Sequence, residues 1–201
     1  IAVSSISDIG PDSWALVDTQ CGARAQDRIE VWALVATALS AGVDVTVTLA
    51  SSSNGIVVGV EQYTGANTTT PVPTTASYNT LGSNGACSGG TDNNDATGSI
   101  TTTYVNSLVV AFINARNRTM TNTASWTNRM NDLTGGAGGD LITASIEERA
   151  TSGAVTIGAA NNLSGDADWC LIAVELADAA PDSGSVATPP AGSLRMMGVG
   201  I

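Results

Sequence analysis

Two stretches, SLVVAFINA at residues 107–115 and DWCLIAVEL at residues 168–176, are apolar at consecutive positions rather than at alternate ones. Neighbouring side chains of an extended chain point to opposite faces, so each run must be covered on both sides. GIVVGVEQY at residues 55–63 has the same character. VDVTVTLA at residues 43–50 differs: Val43, Val45, Val47 and Leu49 share one face, and Asp44, Thr46 and Thr48 the other. That alternation predicts a strand with one wet face. Helical periodicity is almost absent, and Gly, Asn, Asp and Ser punctuate the apolar segments. Further strands are predicted at residues 3–7, 14–19, 29–36, 99–103, 141–148 and 154–160. The sum is an all-β chain, an antiparallel β-sandwich of jelly-roll-like form. Two long polar segments, residues 64–98 and 116–140, read as surface loops.

Composition narrows what such a sandwich does. Hydrophobic residues make up 43% of the chain, enough for a substantial core, but charged residues only 12%. The surface is then built from Thr, Ser, Asn and Gly, as in many secreted and surface-displayed β proteins. The net charge is −11 and no basic run exists, which argues against nucleic acid and anionic membranes as partners. No apolar run approaches the roughly 18 residues that cross a bilayer, so membrane insertion is not expected. The chain has no His, and its seven cationic residues are all Arg. The commonest general base and the Schiff-base nucleophile are therefore missing. Because the chain opens on the strand-like IAVSSISDIG, Ile1 is read as a processed N-terminus or a boundary.

The order of segments carries a resemblance. SWALVD, EVWALVA followed by AGVDVTVTLA, IVVGVEQYTGA, SLVVAFINA, SIEERATSGAVTIGAA and DADWCLIAVEL follow one another over roughly residues 3–176. The series resembles a jelly-roll-like β-sandwich module of secreted and surface proteins of bacterial, archaeal and phage-related origin. VEQYTGA and ADW…AVEL carry most of the likeness. The resemblance implies a structural or adhesive sandwich and brings no catalytic signature. In such modules an apolar strand precedes the segment matching residues 3–7. Here the chain starts at that segment, so the sandwich is expected to be one strand short, with a groove and unpaired backbone groups.

Several residues are candidates for chemistry. Cys21 and Cys87 lie in polar, Gly-rich TQCGA and NGACSGG, whereas Cys170 sits inside an apolar strand. A disulfide between Cys21 and Cys87 with Cys170 as a buried thiol is expected; three unpaired cysteines are the alternative. TDNND concentrates oxygen donors at Asp92, Asn94 and Asp95, a possible Ca²⁺ site without the EF-hand pattern and the sole cofactor candidate. Asn67, Asn117 and Asn162 match the N-glycosylation acceptor pattern. Of Trp14, Trp32, Trp126 and Trp169, only Trp126 falls in a polar loop, where it would offer a sugar-stacking surface. The acid pairs, Glu147 with Glu148 and Asp166 with Asp168, do not converge across a cleft as glycoside hydrolysis demands, so an enzyme is not expected.

The C-terminus completes the reading. Past Leu176, ADAAPDSGSVATPPAG has no strand pattern, and GSLRMMGVGI is again an apolar strand. The chain thus divides into a sandwich (1–178), an extended linker (179–192) and a C-terminal donor-type strand (193–201). Leu194 and Met196 lie on one side of that strand; Met197, Val199 and Ile201 lie on the other. Left in water such an end aggregates. It either folds back on its own sandwich or inserts into the next subunit, and the N-terminal strand at residues 1–7 is an alternative donor. The expected function is an extracellular or cell-surface structural subunit, pilus-like or matrix-forming. It is expected to polymerise with copies of itself by β-strand donation between subunits. A carbohydrate-binding module of a secreted enzyme and a virion surface protein are the alternatives.

Overall fold

The computed structural model describes residues 1–7, 13–36, 44–134, 141–160, 162–179 and 192–201. The described residues form fourteen strands and no helix. In chain order these are β1 (Val3–Ser7), β2 (Ala15–Cys21), β3 (Arg28–Ala36), β4 (Thr46–Leu49), β5 (Val57–Ala66), β6 (Thr75–Asn79) and β7 (Gly82–Ser83). They continue as β8 (Gly98–Thr101), β9 (Ser107–Arg116), β10 (Thr127–Thr134), β11 (Ile142–Thr151), β12 (Ala154–Ile157), β13 (Trp169–Ala177) and β14 (Gly192–Gly200). A six-stranded sheet in the order β10-β11-β9-β13-β6-β7 packs against a four-stranded sheet in the order β2-β3-β14-β5. Two-stranded ribbons, β12-β8 and β1-β4, cover the outer faces of the two sheets. All pairings between these strands are antiparallel.

Two of the three runs without alternation, β9 and β13, are covered on both faces, as their sequence requires; the third, GIVVGVEQY, is not, because β5 is an edge strand with one open face, where Val58 and Val60 are 39% and 42% exposed. On β9 and β13, Val110, Phe112, Cys170, Ile172 and Val174 face the four-stranded sheet and meet Ile29, Val31, Leu194 and Met196. The intervening Val109, Ala111, Ile113, Leu171 and Ala173 face the other way and meet Ile100, Val155 and Ile157 of the ribbon β8-β12. The alternating strand is β4: Val45, Val47 and Leu49 turn inward, while Asp44, Thr46 and Thr48 are exposed. Val43 lies outside the described residues.

Neither predicted polar loop is loop throughout. Residues 64–98 contain β6 and β7, and residues 116–140 contain β10. TASYN of β6 extends β13 by backbone pairing from Cys170 opposite Asn79 to Val174 opposite Thr75. TNRMNDLT of β10 pairs along β11. Both strands follow ladder hydrogen bonds offered by a neighbour rather than an apolar pattern of their own, which is why their sequences looked like loop.

Buried acids fasten loops to this frame. Glu175 is fully buried and accepts hydrogen bonds from the backbone N–H of Thr103 and Tyr104 and from the Ser107 hydroxyl. Glu147 accepts from the Thr123 N–H at 3.0 Å. Glu30 accepts from Arg28 at 2.8 Å and from the Trp32 indole at 3.2 Å.

Candidate functional site

The C-terminal strand β14 lies inside its own sandwich, between β3 and β5. It pairs with β3 from Ser193 opposite Ala36 to Gly200 opposite Ile29. It pairs with β5 from Gly192 opposite Ala66 to Gly200 opposite Val57. Ile201 closes the ladder, exchanging backbone hydrogen bonds with Arg28 at 2.8 and 2.9 Å. Leu194 and Met196 join Ile29, Val31, Phe112 and Ile172 beneath the strand. Met197, Val199 and Ile201 join Val3, Trp14, Trp32, Val45 and Val47 above it. Leu194, Met196, Met197 and Val199 have no exposed surface. Burial of five such side chains is worth on the order of 10 kcal/mol before ordering costs.

This arrangement corrects the expectation that the chain cannot complete its own sheet. One strand place between β3 and β5 is indeed left vacant by residues 1–179, and the tail of the same chain fills it. The strand predicted at residues 193–201 is therefore integral to the sandwich rather than a separate element. Of the predicted linker, residues 180–191 lie outside the described residues. Its two ends flank β5. On the near side, Asp178 bridges Ala66 of β5, and the Ala179 N–H donates to the Gly65 carbonyl at 2.7 Å. On the far side, Gly192 pairs with the same Ala66. Flanking one strand, the two ends sit about 10 Å apart. Residues 180–191, drawn out, reach about 40 Å.

The disulfide joins Cys21 to Cys87, with Cα atoms 5.5 Å apart. It ties the end of β2 in the four-stranded sheet to the segment following β7 in the six-stranded one. Asn79 supports the link by donating to the carbonyls of Cys21 and Gly85, each at 2.9 Å. Cys170 is a fully buried free thiol, as its apolar context predicts. Burial, and then the charges of Asp27 and Asp168, push its pKa up, so it stays an unreactive thiol.

Beside it, Asp27 and Asp168 crowd the bare face of Gly22; a Cβ there would lie 1.9 Å from Asp27 Oδ1 and 2.4 Å from Asp168 Oδ2. Asp168 accepts from the backbone N–H of Arg24 at 3.0 Å and of Gln26 at 3.1 Å. Burial, then the neighbouring Asp168 carboxylate, raises the Asp27 pKa well above the usual carboxylate range. The cause is the crowding of two carboxyl groups in a buried place, which disfavours a charge on Asp27. Sequence reading missed this pair because residues 27 and 168 are brought together only by the packing of the two sheets.

The remaining candidates scatter. Asp92 pairs with Arg24 at 2.8 Å. The carbonyl of Asn94 accepts from the Leu163 N–H, and the Asp95 N–H donates to the Asn93 side chain. Among the described residues no three acidic, His or Cys side chains are grouped to hold a metal. Trp126 is 9% exposed and packs in the core beneath β8 and β12, which removes it as a sugar-stacking surface. Asn162 is also ruled out as a glycan acceptor by burial: its amide donates to the Ala96 carbonyl at 2.9 Å and accepts from the Ala96 N–H at 2.8 Å. Asn67 and Asn117 are half-buried in turns, with their side-chain oxygens engaged by Thr69 and Leu141. Glu147 and Glu148 point apart, to Thr123 and Arg129. Asp166 is exposed while Asp168 is buried.

Comparison with protein-family models, characterised proteins and solved structures finds no match to this chain.

Proposed function

We propose that the protein is a structural subunit of an extracellular assembly, a pilus-like or matrix filament. Its subunits join head-to-tail by donating β14 to the vacant place between β3 and β5 of a neighbour. The observation that carries this reading is the geometry around Ala66. Both ends of the linker meet there, about 10 Å apart, and the chain between them reaches about four times that distance. A closed subunit needs little of that length, which leaves enough for the strand to reach a neighbour. The contacts of β14 are the same in either form, so concentration decides between them. Self-docking wins below an effective concentration in the millimolar range, and donation wins where subunits are packed more densely. A head-to-tail exchange that does not close on itself grows into a filament.

Three further observations support the reading. The disulfide between Cys21 and Cys87 suits an oxidising compartment outside the cytosol. The surface is poor in charge. Of the acids weighed as catalytic pairs, Glu147, Glu148 and Asp168 hold a loop N–H, Arg129 and the turn after β2, which favours a non-enzymatic role.

The test is a covalent trap. Ser193 and Thr64 are register partners across β14 and β5. In the double variant Thr64→Cys/Ser193→Cys, oxidation links the donor to whichever sheet it occupies. Concentrated protein, oxidised and run on a non-reducing denaturing gel, gives a ladder of covalent oligomers, and electron microscopy of the same sample shows filaments. Monomeric bands alone at every concentration, with no filaments, overturn the proposal.

A further inference from the structure

Along β14 the positions facing the six-stranded sheet are Leu194, Met196, Gly198 and Gly200. The first two are large and the last two have no side chain. The reason lies on β9. A Cβ at Gly198 would stand 2.4 Å from Phe112 Cδ1, and one at Gly200 would stand 2.9 Å from Asn114 Oδ1. Neither neighbour has room to retreat. Phe112 is buried among Ile29, Val110, Ile146 and Ile172, and Asn114 is fully buried with its amide donating to the Arg28 carbonyl at 3.1 Å. The partner of Gly198 on β5 is Gly59, where a Cβ would stand 2.5 Å from Ile146 Cδ1. The two glycines opposite each other form a trough, and the side chains of the facing sheet press into it.

We infer that Phe112 and Asn114 are the specificity-determining residues of this groove: they admit only a strand carrying glycine at the two positions of Gly198 and Gly200, and so select the C-terminal strand of this chain as donor. This rests on the strand-donation reading and names its partner more narrowly. A slip of the donor by two residues toward its C-terminal end sets Met196 against Phe112. A slip by one turns the whole strand over and presents Met197 and Val199 to the two pins. The N-terminal segment IAVSSIS, the other conceivable donor, has no glycine and is refused in every register. The same pins act whether the donor comes from the same chain or from its neighbour.

The inference is tested in two ways. In the intact chain, Gly198→Ala lowers the melting temperature, and adding Phe112→Leu returns part of the loss. Strand propensity alone gives the opposite sign, because replacing glycine by alanine inside a strand ordinarily stabilises. In a second variant a protease site is placed within residues 180–191 and cut after folding. The cut protein holds its strand non-covalently, as native mass spectrometry reads, and is then challenged with labelled peptides of residues 192–201. The native peptide enters. The Gly198→Ala peptide binds roughly ten- to a hundredfold more weakly, the usual consequence of overpacking, and recovers in cut protein carrying Phe112→Leu. If Gly198→Ala leaves the melting temperature unchanged or raised, or if its peptide competes equally, selection by the pins is wrong and strand donation stands. If the native peptide never enters while Gly198→Ala still destabilises the intact chain, the pins are upheld in the closed subunit and donation between chains fails.

Discussion

β13 and β14 hold equivalent places in the two sheets. Each is a central strand, paired on both edges and buried on both faces. They are held differently. β13 presents WCLIAVELA, with a side chain at every position, and its Glu175 binds the Thr103, Tyr104 and Ser107 corner. β14 presents GSLRMMGVG, whose glycines receive side chains from the facing sheet instead of contributing their own. β13 continues directly into contacts with Gly65 and Ala66, whereas β14 is reached through residues 180–191. On the strand-donation reading, equal burial does not mean equal permanence. A strand can be as deep in the core as any other and still be exchangeable, provided its connection has length to spare and its fit is encoded in the groove.

Removing β14 is the severest challenge to the equivalence. Deletion of residues 193–201 strips about 10 kcal/mol of apolar burial, as much as a whole domain's net stability. The cooperative near-ultraviolet circular-dichroism transition should vanish and return when a peptide of residues 192–201 is added. A truncated chain that melts like the full one would mean that β14 is not an equal of β13.

The disulfide asks how far the sheets depend on each other. Cys21→Ser removes a closure of 66 residues, worth about 4 kcal/mol in the chain-entropy model. The denaturant midpoint should fall accordingly, while the Thr64→Cys/Ser193→Cys trap still forms its ladder, because the link lies at β2 and away from the Ala66 end of β14.

Glu175→Ala tests the fastening of β13 to its corner. It leaves the Thr103 and Tyr104 N–H groups without their acceptor and the Ser107 hydroxyl with only the Tyr104 carbonyl, and should cost about 3 kcal/mol in chemical denaturation. A loss below 1 kcal/mol would show that the corner is held by its neighbours.

The smallest expected effect joins the two regions. Asp27 precedes β3 beside the end of β14, and Asp168 precedes β13. Because folding raises the Asp27 pKa, its contribution is fully present below the ordinary carboxylate pKa and is lost as pH rises through the raised value. Stability should therefore decline as the pH rises above the carboxylate range. Asp27→Asn, which keeps a donor toward Asp168, should flatten that decline and lift the melting temperature at alkaline pH by a few degrees. Groups facing the pair are the Cys170 thiol, which donates to Asp27, and Arg116, bonded to the neighbouring Gln26. A melting temperature independent of pH in the native protein would show that Asp27 carries no such dependence.

How much of this was legible in the chain depends on the kind of signal. β1 was placed residue for residue, and the two-faced burial of β9 and β13 followed from runs that cannot leave either side wet. The pairing of Cys21 with Cys87 was legible from their polar surroundings against the apolar surroundings of Cys170. β6 and β10 were not, since β6, next to the edge, and β10, at the edge, are held by backbone pairing and show no apolar stripe. Trp126 misled for a related reason: its sequence neighbours are polar, but its spatial neighbours are Met120, Leu163 and Ile157.

Local alternation, the apolar runs and the cysteine contexts are properties of a few consecutive residues, and they sufficed for an all-β sandwich and for an apolar terminal strand that must be buried somewhere. Where that strand goes, which acids crowd together and why two glycines stand at positions 198 and 200 depend on groups far apart in the chain. Those answers arise only when β3, β5 and β9 have come together, because a groove has no existence in any single segment that lines it.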